Sequence, residues 1–226
     1  SLYGQEDNLS TWAICKINMF LHSVFNADIK KGDTIREPKH IKDGELMTFD
    51  RVIANPPFSL DKWGKDEADN DGYGRFKYGT PPKGTGDLAF VQHMISSLNA
   101  DGVMGVVVPH GVLFRGASEK SIRKGMLEDD LIEAVIGLPA ALFYGTGIPA
   151  ALIIINKSKS KERKNKIIFI NSELEYLEGK NQNKLTEENI SHILNTFDSY
   201  QDEKRYATIV DVNEIIENDY NFNVRR

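Results

Sequence analysis

Short apolar runs alternate with helical patterns through the first half of this chain, and that alternation restricts its possible folds more than any other feature. Helical spacing recurs over residues 9–24 and again over 87–102, where Asp87 is the predicted N-cap. Buried strands are predicted by the runs FDRVIAN at 49–55 and VMGVVVP at 103–109. In the second half three strand patterns follow one another: LIEAVIGLP, AALIIINK and KIIFIN. The expected fold is therefore α/β, with a mostly parallel sheet and an antiparallel hairpin at one edge.

Chain length and composition fit one main domain with a small appendage. The 226 residues are 40% hydrophobic, which is enough for a sizeable core. The last strand pattern ends near residue 170, and helical patterns follow at 186–199 and 211–217. We therefore predict a sheet domain at 1–170 and a C-terminal helical extension at 171–226.

Charge and rare residues exclude several classes of protein. The formal net charge is −5 and the pI about 5.6, which argues against strong autonomous binding to DNA but not against DNA presented by a partner. The single cysteine, Cys15, rules out an internal disulfide and fits a reducing compartment such as the cytoplasm. The five histidines are scattered without metal-ligand spacing, so no metal site is predicted. No apolar run approaches the roughly 20 residues of a membrane span, so no membrane association is expected.

Polar residues follow several of the predicted strands. Glu6, Asp33, Asn55 and Pro109 all fall where a strand should end. In parallel α/β sheets the ligand site lies beyond the carboxyl ends of the strands. These positions therefore predict one cleft that carries two acids and an amide.

The residues Asn55, Pro56, Pro57 and Phe58 carry the most specific chemistry. An amine on an aromatic ring is a poor nucleophile, and two fixed hydrogen-bond acceptors favour the pyramidal amine of its transition state. The Asn55 side-chain carbonyl and the Pro56 backbone carbonyl can supply those acceptors. Pro57 would hold them rigidly, and Phe58 could stack on the ring. The amide accepts without placing a negative charge beside a cationic methyl donor.

Structural interpretations of these residues remain open. Asn and Pro are common turn residues, and Glu6 and Asp33 could be solvated loop acids. The long stretch at 59–86, with little periodicity and six glycines, favours a functional loop after Asn55. The basic run at 157–166 is best explained as a solvated hairpin loop rather than a phosphate site.

Several blocks of the sequence together resemble one known family. The blocks are GQEDNLSTWAICKINMFLH, GDTI, FDRVIANPPFS, GRFKYGTPPKG, VVVPHGVLFRG, EAVIGLPAALFYGTGIPA, GKNQN and ENDYNFNVRR. Their order and content resemble the modification (methylase) subunit of type I restriction–modification systems, essentially from end to end. The resemblance implies a Rossmann-like S-adenosylmethionine-dependent methyltransferase sheet, with residues 1–170 forming part of the catalytic domain.

The resemblance also implies an activity and residue roles. The family transfers methyl from S-adenosylmethionine to N6 of adenine in DNA, with a specificity subunit that reads the sequence and a restriction subunit that can join. By position, Glu6 resembles the acid that binds the cofactor ribose and Asp33 the acid that binds its adenine. Residues 55–58 correspond to the catalytic motif, and Phe143 resembles a second aromatic that sandwiches the flipped base. The alternative for Phe143 is a ring that packs the hairpin.

One departure from the family pattern limits what the resemblance implies. The glycine-rich cofactor loop that precedes the GQE block in this family is not in the sequence. We therefore expect a C-terminal fragment without the first strand of the sheet, inactive by itself. Two other hypotheses stay open: a methyltransferase acting on RNA or on a protein amide, and a non-catalytic assembly module that binds the specificity subunit.

Overall fold

A computed structural model describes residues 1–224 as a six-stranded sheet flanked by helices, with two separate two-stranded sheets in the N-terminal part, one parallel and one antiparallel. The strands are β1 (Tyr3–Glu6), β2 (Asp28–Lys31), β3 (Ile41–Lys42), β4 (Glu45–Leu46), β5 (Phe49–Ala54), β6 (Leu98–Pro109), β7 (Ile132–Gly137), β8 (Ala150–Asn156), β9 (Lys166–Asn171) and β10 (Ala207–Asp211). The helices are α1 (Leu9–Leu21), α2 (Lys65–Ala68), α3 (Asp87–Ser96), α4 (Ala117–Glu128), α5 (Glu187–Ser199) and α6 (Val212–Glu217).

The main sheet has the strand order β10-β9-β7-β8-β6-β5. Strands β5, β6, β7 and β9 point the same way, whereas β8 and β10 run against their neighbours. The predicted α/β class, with a mostly parallel sheet and an antiparallel hairpin, is confirmed. The β7–β8 hairpin lies inside the sheet rather than at its edge, because β9 and β10 extend the sheet beyond β7.

Helices cover both faces of the main sheet, since its strands alternate between two apolar clusters. Val135 of β7 faces a cluster that includes side chains of α3, α4 and α6. Its neighbours Ala134 and Ile136 face a second cluster that includes Ile193 of α5. This three-layer packing buries β7 completely and makes the centre of the sheet a rigid support for the loops at its ends.

The strand before Asn55 differs from the prediction. We expected β5 to be buried, but it is the edge strand, and Ile53 is 86% exposed. It pairs only with β6, so one of its sides carries no ladder within residues 1–224. An apolar run alone cannot distinguish a central strand from an edge strand.

The helix predicted at 87–102 is shorter than expected. It ends at Ser96, and Leu98 already belongs to β6, where its buried side chain pairs opposite Phe49. Burial of Leu98 in the sheet outweighs the continued helical pattern. Gly86 occupies the N-cap position, so Asp87 is the first helical residue rather than the cap.

The parallel two-stranded sheet is formed by β1 and β2, and it leaves much of α1 uncovered. At the amino end of β1 the Tyr3 ring contacts the Phe49 ring of β5 at a centroid distance of 5.1 Å. The small sheet therefore touches the main one through side chains, without a backbone ladder among the described residues. None of the helices in residues 1–224 has the length and apolar character needed to cross a bilayer.

The segment after residue 170 contains more than helices. Helices α5 and α6 match the predicted patterns, but β10 lies between them and extends the main sheet beside β9. Phe222 and Val224 also lie in the main apolar cluster. The division at residue 170 stays a prediction, and the segment after it is packed into the same sheet.

Candidate active site

Three loops leave the main sheet at the same end, the one where its parallel strands finish. Asn55 follows β5, residues 138–149 connect β7 to β8, and residues 172–186 follow β9. Because β8 runs antiparallel to β6 and β7, its first residue and the loop before it lie at the same end of the sheet as Asn55. The basic hairpin at 157–165 lies at the opposite edge, since Asn156 pairs with the start of β6. The predicted convergence at the carboxyl ends of the strands therefore includes the loop that carries Phe143.

Two hydrogen-bond acceptors stand side by side at the end of β5. The Asn55 side chain is exposed and Pro56 is half-buried. Within residues 1–224, neither the Asn55 side-chain amide nor the Pro56 carbonyl oxygen has a hydrogen-bond partner. Two consecutive prolines fix the backbone between them. The backbone that carries both acceptors is thus restricted, and both remain available to a donor from outside the chain.

The Phe58 and Phe143 rings meet across this edge. Their centroids are 6.2 Å apart and their planes are inclined by 79°, an edge-to-face contact. Phe143 also packs against the apolar cluster that contains Ile136 and Ile193. The two rings that the resemblance implies as walls of one pocket therefore lie together, and Phe143 has the packing role that we considered as its alternative; its role in a pocket stays a prediction.

A buried carboxylate holds the turn that follows Phe58. The Ser59 amide, in a left-handed conformation with φ of 49°, donates to Asp87 Oδ1 at 2.7 Å. Arg115 donates to the other Asp87 oxygen at 3.0 Å and pairs with Glu119 at 2.7 Å. Burial raises the pKa of Glu119 above its ordinary value, and the nearby Arg115 opposes that shift. Asp87 thus ties the turn to α3 and to the segment after β6.

Asp33 closes a turn after β2. Its Oδ1 accepts from the backbone amides of Ile35 and Arg36, both at 2.9 Å, and its Oδ2 accepts from the Arg36 guanidinium at 2.6 Å. The hydrogen bond to Asp33 raises the pKa of Arg36. Both carboxylate oxygens are engaged, although Oδ2 retains a lone pair for one further donor.

Glu6 lies beside that turn at the end of β1. Its backbone carbonyl accepts from the Gly32 amide at 3.0 Å, and its side-chain Oε1 accepts from the Asn8 amide at 2.7 Å. The second oxygen, Oε2, accepts no hydrogen bond within residues 1–224. Glu6 and Asp33, called the acidic pair below, therefore lie at the adjoining ends of β1 and β2, and their role in binding stays a prediction.

The acidic pair connects to the aromatic pair only through intermediates. Arg36 donates to the carbonyl of Lys62, in the loop that follows Phe58. Buried Arg75, from the same loop, donates to the carbonyls of Thr34 and Ile35. Among the described residues no direct hydrogen bond or ring contact joins Glu6 or Asp33 to residues 55–58. The loop at 59–86, predicted to be functional, is thus the physical link between the two groups.

The family assignment agrees with this geometry. The family model for N-6 DNA methylases matches residues 1–226. The chain belongs to the N-6 DNA methylase family. Its two unpaired acceptors and its facing phenylalanines are therefore features of an N-6 DNA methylase chain.

Its relatives agree on the type of system. The chain is 42% identical to the type I restriction enzyme MjaVII methylase subunit of Methanocaldococcus jannaschii, over 99% of this chain and 40% of that protein. It is 34% identical to the MpnII methylase subunit of Mycoplasma pneumoniae, over 99% of this chain and 42% of that protein. The chain thus spans about two fifths of the length of these relatives.

A solved structure matches the fold closely. The methyltransferase subunit of the type I restriction–modification system of Streptococcus thermophilus superposes with a TM-score of 0.89 at 40% identity. The match covers 98% of this chain and 47% of that one. The strand order and loop placement described above therefore occur in a methylase subunit that has been solved.

Some residues of this N-6 DNA methylase site could not be found from sequence. Asp87 was predicted only as a helix cap, yet its carboxylate holds an amide 28 residues earlier in the chain. Arg36 gave no signal at all, although it links Asp33 to the loop after Phe58. Both act through contacts between distant segments, which composition and periodicity do not encode.

Proposed function

We propose that this chain forms the target-base half of a DNA adenine-N6 methyltransferase, the modification subunit of a type I restriction–modification system. The observation that carries the proposal is the pair of free acceptors at Asn55 and Pro56, next to the Phe58 and Phe143 rings. The similarity to methylase subunits of type I restriction enzymes supports the same reaction class.

The acceptor pair fits an exocyclic amine. Such an amine carries two N–H groups, and the Asn55 amide oxygen and the Pro56 carbonyl can each accept one. Accepting both hydrogen bonds draws the nitrogen lone pair out of the ring and favours the pyramidal transition state. Since both acceptors are neutral, the site adds no net charge beside the methyl donor.

The aromatic pair fits a base taken out of the DNA stack. A flipped base needs a face on each side, and stacking on an aromatic ring is worth roughly 1–3 kcal/mol per base. In the edge-to-face arrangement, the edge of one ring fills the space that a base would need against the face of the other. An entering adenine would replace that contact with stacking on Phe58 and a second contact on Phe143.

The acidic pair fits the nucleoside part of S-adenosylmethionine. Glu6 Oε2 is free to accept from a ribose hydroxyl, and Asp33 Oδ2 can accept from an adenine amino group while it stays paired with Arg36. When bound, the cofactor supplies an electrophilic methyl group. The role of this chain is to hold the nucleoside near the end of β1 and to present the target amine at Asn55.

We propose that partner subunits supply the affinity for DNA that this acidic chain lacks. The formal net charge of −5 is poorly suited to capture DNA by charge alone. We therefore propose that a specificity subunit reads and presents the DNA and that a restriction subunit joins the same complex. Such a complex would act on chromosomal DNA in the cytoplasm.

Labelled methyl transfer tests this proposal. The complete gene product, with and without its specificity subunit, is incubated with radiolabelled S-adenosylmethionine and DNA, RNA or protein. Digestion of the DNA and separation of its nucleosides should give labelled N6-methyladenine only when the specificity subunit is present. Label on RNA or on a protein amide would support the alternative methyltransferase, and binding to the specificity subunit without label would support the assembly module.

A further inference from the structure

The turn at residues 179–183, with the sequence GKNQN, contacts the loop that carries Phe143. This segment follows β9 and lies at the same edge of the sheet as Asn55. The Asn183 amide side chain donates to the Ala140 carbonyl at 2.9 Å, and its backbone amide donates to the Ala141 carbonyl at 2.9 Å. The Gln182 side chain donates to the Leu142 carbonyl. Three consecutive carbonyls immediately before Phe143 are therefore held by two neighbouring residues.

The loop that these contacts hold needs support. Ala141 has a φ of 52°, a left-handed conformation that is unfavourable for a residue with a Cβ. Tyr144, on the far side of Phe143, is 90% exposed, so the loop is anchored by packing only on the side of Leu142 and Phe143. External hydrogen bonds to residues 140–142 compensate for this strain and restrict where Phe143 can lie.

The turn at 179–183 is tightly closed on itself. A Cβ placed on Gly179 would lie 2.1 Å from the Gln182 carbonyl oxygen, so only glycine allows the turn to close this tightly. Leu177 and Lys184 pair across the base of the turn as an antiparallel bridge. The side chains of Gln182 and Asn183 are half-buried, whereas Lys180 and Asn181 point into solvent. The turn thus fixes two donors and leaves its other two polar residues free.

We infer that Gln182 and Asn183 are positioning residues that set the Phe143 wall of the target-base pocket. This inference rests on the proposed function, because it gives the loop at 138–149 a role in base capture. Neither residue touches the base; each acts through the backbone of the segment before Phe143. A shift of about 1 Å at such a wall is enough to lower the rate roughly 100-fold.

Isosteric acids remove the donors without changing side-chain size. Gln182→Glu and Asn183→Asp replace an N–H₂ group with a carboxylate oxygen that cannot donate and that repels the facing carbonyl. Asn181→Asp is the matched control, since it makes the same charge change one or two residues away on an exposed side chain. Each variant is made in the complete gene product with its specificity subunit.

Rates and base capture give the first readout. We expect kcat about 10- to 100-fold lower for Gln182→Glu and Asn183→Asp, with S-adenosylmethionine affinity unchanged and wild-type behaviour for Asn181→Asp. A fluorescent adenine analogue at the target position should brighten less. In a Phe143→Ala background Asn183→Asp should cause little further loss, since the residue acts through that ring. Equal rates for Asn183→Asp and Asn181→Asp, or additive losses with Phe143→Ala, would overturn the inference.

Hydrogen exchange gives a readout that does not depend on methylation. Peptides covering residues 138–149 should exchange about fivefold faster or more in Asn183→Asp than in the wild type, and at the wild-type rate in Asn181→Asp. If the wild type methylates nothing, the proposed function fails, and exchange alone still decides whether the turn holds the loop. Unchanged exchange in Asn183→Asp would contradict the contact itself.

Discussion

Phe58 and Phe143 meet edge to face with ring centroids 6.2 Å apart, although they belong to loops that leave different strands of the sheet. A base stacked between two parallel rings needs a centroid separation of about 7 Å, twice the usual contact distance of about 3.5 Å. The observed separation is close to this value, but the 79° inclination is far from the parallel arrangement that stacking requires. In the proposed complex, a base stacked between them would therefore require at least one ring to rotate and the two rings to move slightly apart.

Truncation of either ring should weaken base capture. We expect Phe58→Ala and Phe143→Ala each to cost roughly 1–3 kcal/mol of stacking. A fluorescent adenine analogue at the target position should brighten less with either variant than with the wild type. Tyr144→Ala, at an exposed neighbour, is the control and should brighten normally. Normal brightening with both Phe variants would place the rings outside the pocket.

Removal of the Asn55 amide should abolish methylation and spare cofactor binding. The Asn55 side chain has no hydrogen bond to the rest of the described chain, so Asn55→Ala should cost little stability. Loss of one preorganised transition-state contact typically lowers kcat 100-fold or more. Single-turnover methylation and equilibrium binding of S-adenosylmethionine separate the two effects. Turnover close to the wild-type rate would exclude Asn55 from the chemistry.

The fold class followed from the sequence because its causes are local. Apolar runs of strand length alternate with helical spacing, and that alternation requires crossover connections and a mostly parallel sheet. The position of Asn55 at the carboxyl end of a strand follows from the same pattern, whereas Phe143 was identified only through the family resemblance. The exposure of Ile53 does not, since an edge strand and a central strand differ only in their neighbours.

The supporting contacts of the site were beyond prediction for a different reason. Asp87 and Ser59 are 28 residues apart, and Asn183 and Ala140 are 43 apart. A hydrogen bond between such segments depends on how two loops pack, which no periodicity records. The turn at 179–183 stood out only as one block of a family resemblance, without a role attached.

Asp87 should prove necessary for the turn after Phe58. Asp87→Ala leaves the Ser59 amide and Arg115 without their partner, so we expect kcat about 10- to 100-fold lower. Asp87→Asn retains an acceptor for Ser59 and should lose less. Glu119→Gln, which disturbs Arg115 but not Ser59, is the control for stability. Rates measured well below each variant's melting temperature test this, and equal kcat for Asp87→Ala and Glu119→Gln would contradict it.

His192 should make the stability of the C-terminal segment depend on pH. Its ring stacks on Tyr206 and lies within hydrogen-bond distance of Glu175 and Glu203. Partial burial lowers the pKa of His192, but the two carboxylates together outweigh it, so the net shift is upward. A raised pKa means that the contribution is complete below the unfolded value of about 6.5 and is lost as the pH rises through the folded value.

Thermal unfolding of a His192→Gln variant checks that direction. The wild type should melt at a higher temperature than the variant at pH 6, and the difference should shrink as the pH approaches 8.5. Ser191→Gln, an exposed change on the same helix, should show a constant difference from the wild type over that range. A gap between wild type and His192→Gln that widens with rising pH would show that the carboxylates do not dominate.

The 226-residue chain by itself should bind S-adenosylmethionine weakly. The acids proposed to bind the cofactor lie at the end of the parallel sheet formed by β1 and β2. Among the described residues, no backbone ladder joins this sheet to the main one. Asp33 already accepts three hydrogen bonds, two from backbone amides and one from Arg36, so an adenine amino group would have to share Oδ2. Glu6 Oε2 is then the one fully free acceptor of the pair, and a single side of the nucleoside is contacted. Calorimetry of the chain with S-adenosylmethionine should show no saturable binding at micromolar concentrations, and the Glu6→Gln variant should behave in the same way. Micromolar affinity at one site per chain, lost in Glu6→Gln, would instead show that these residues alone complete the cofactor pocket.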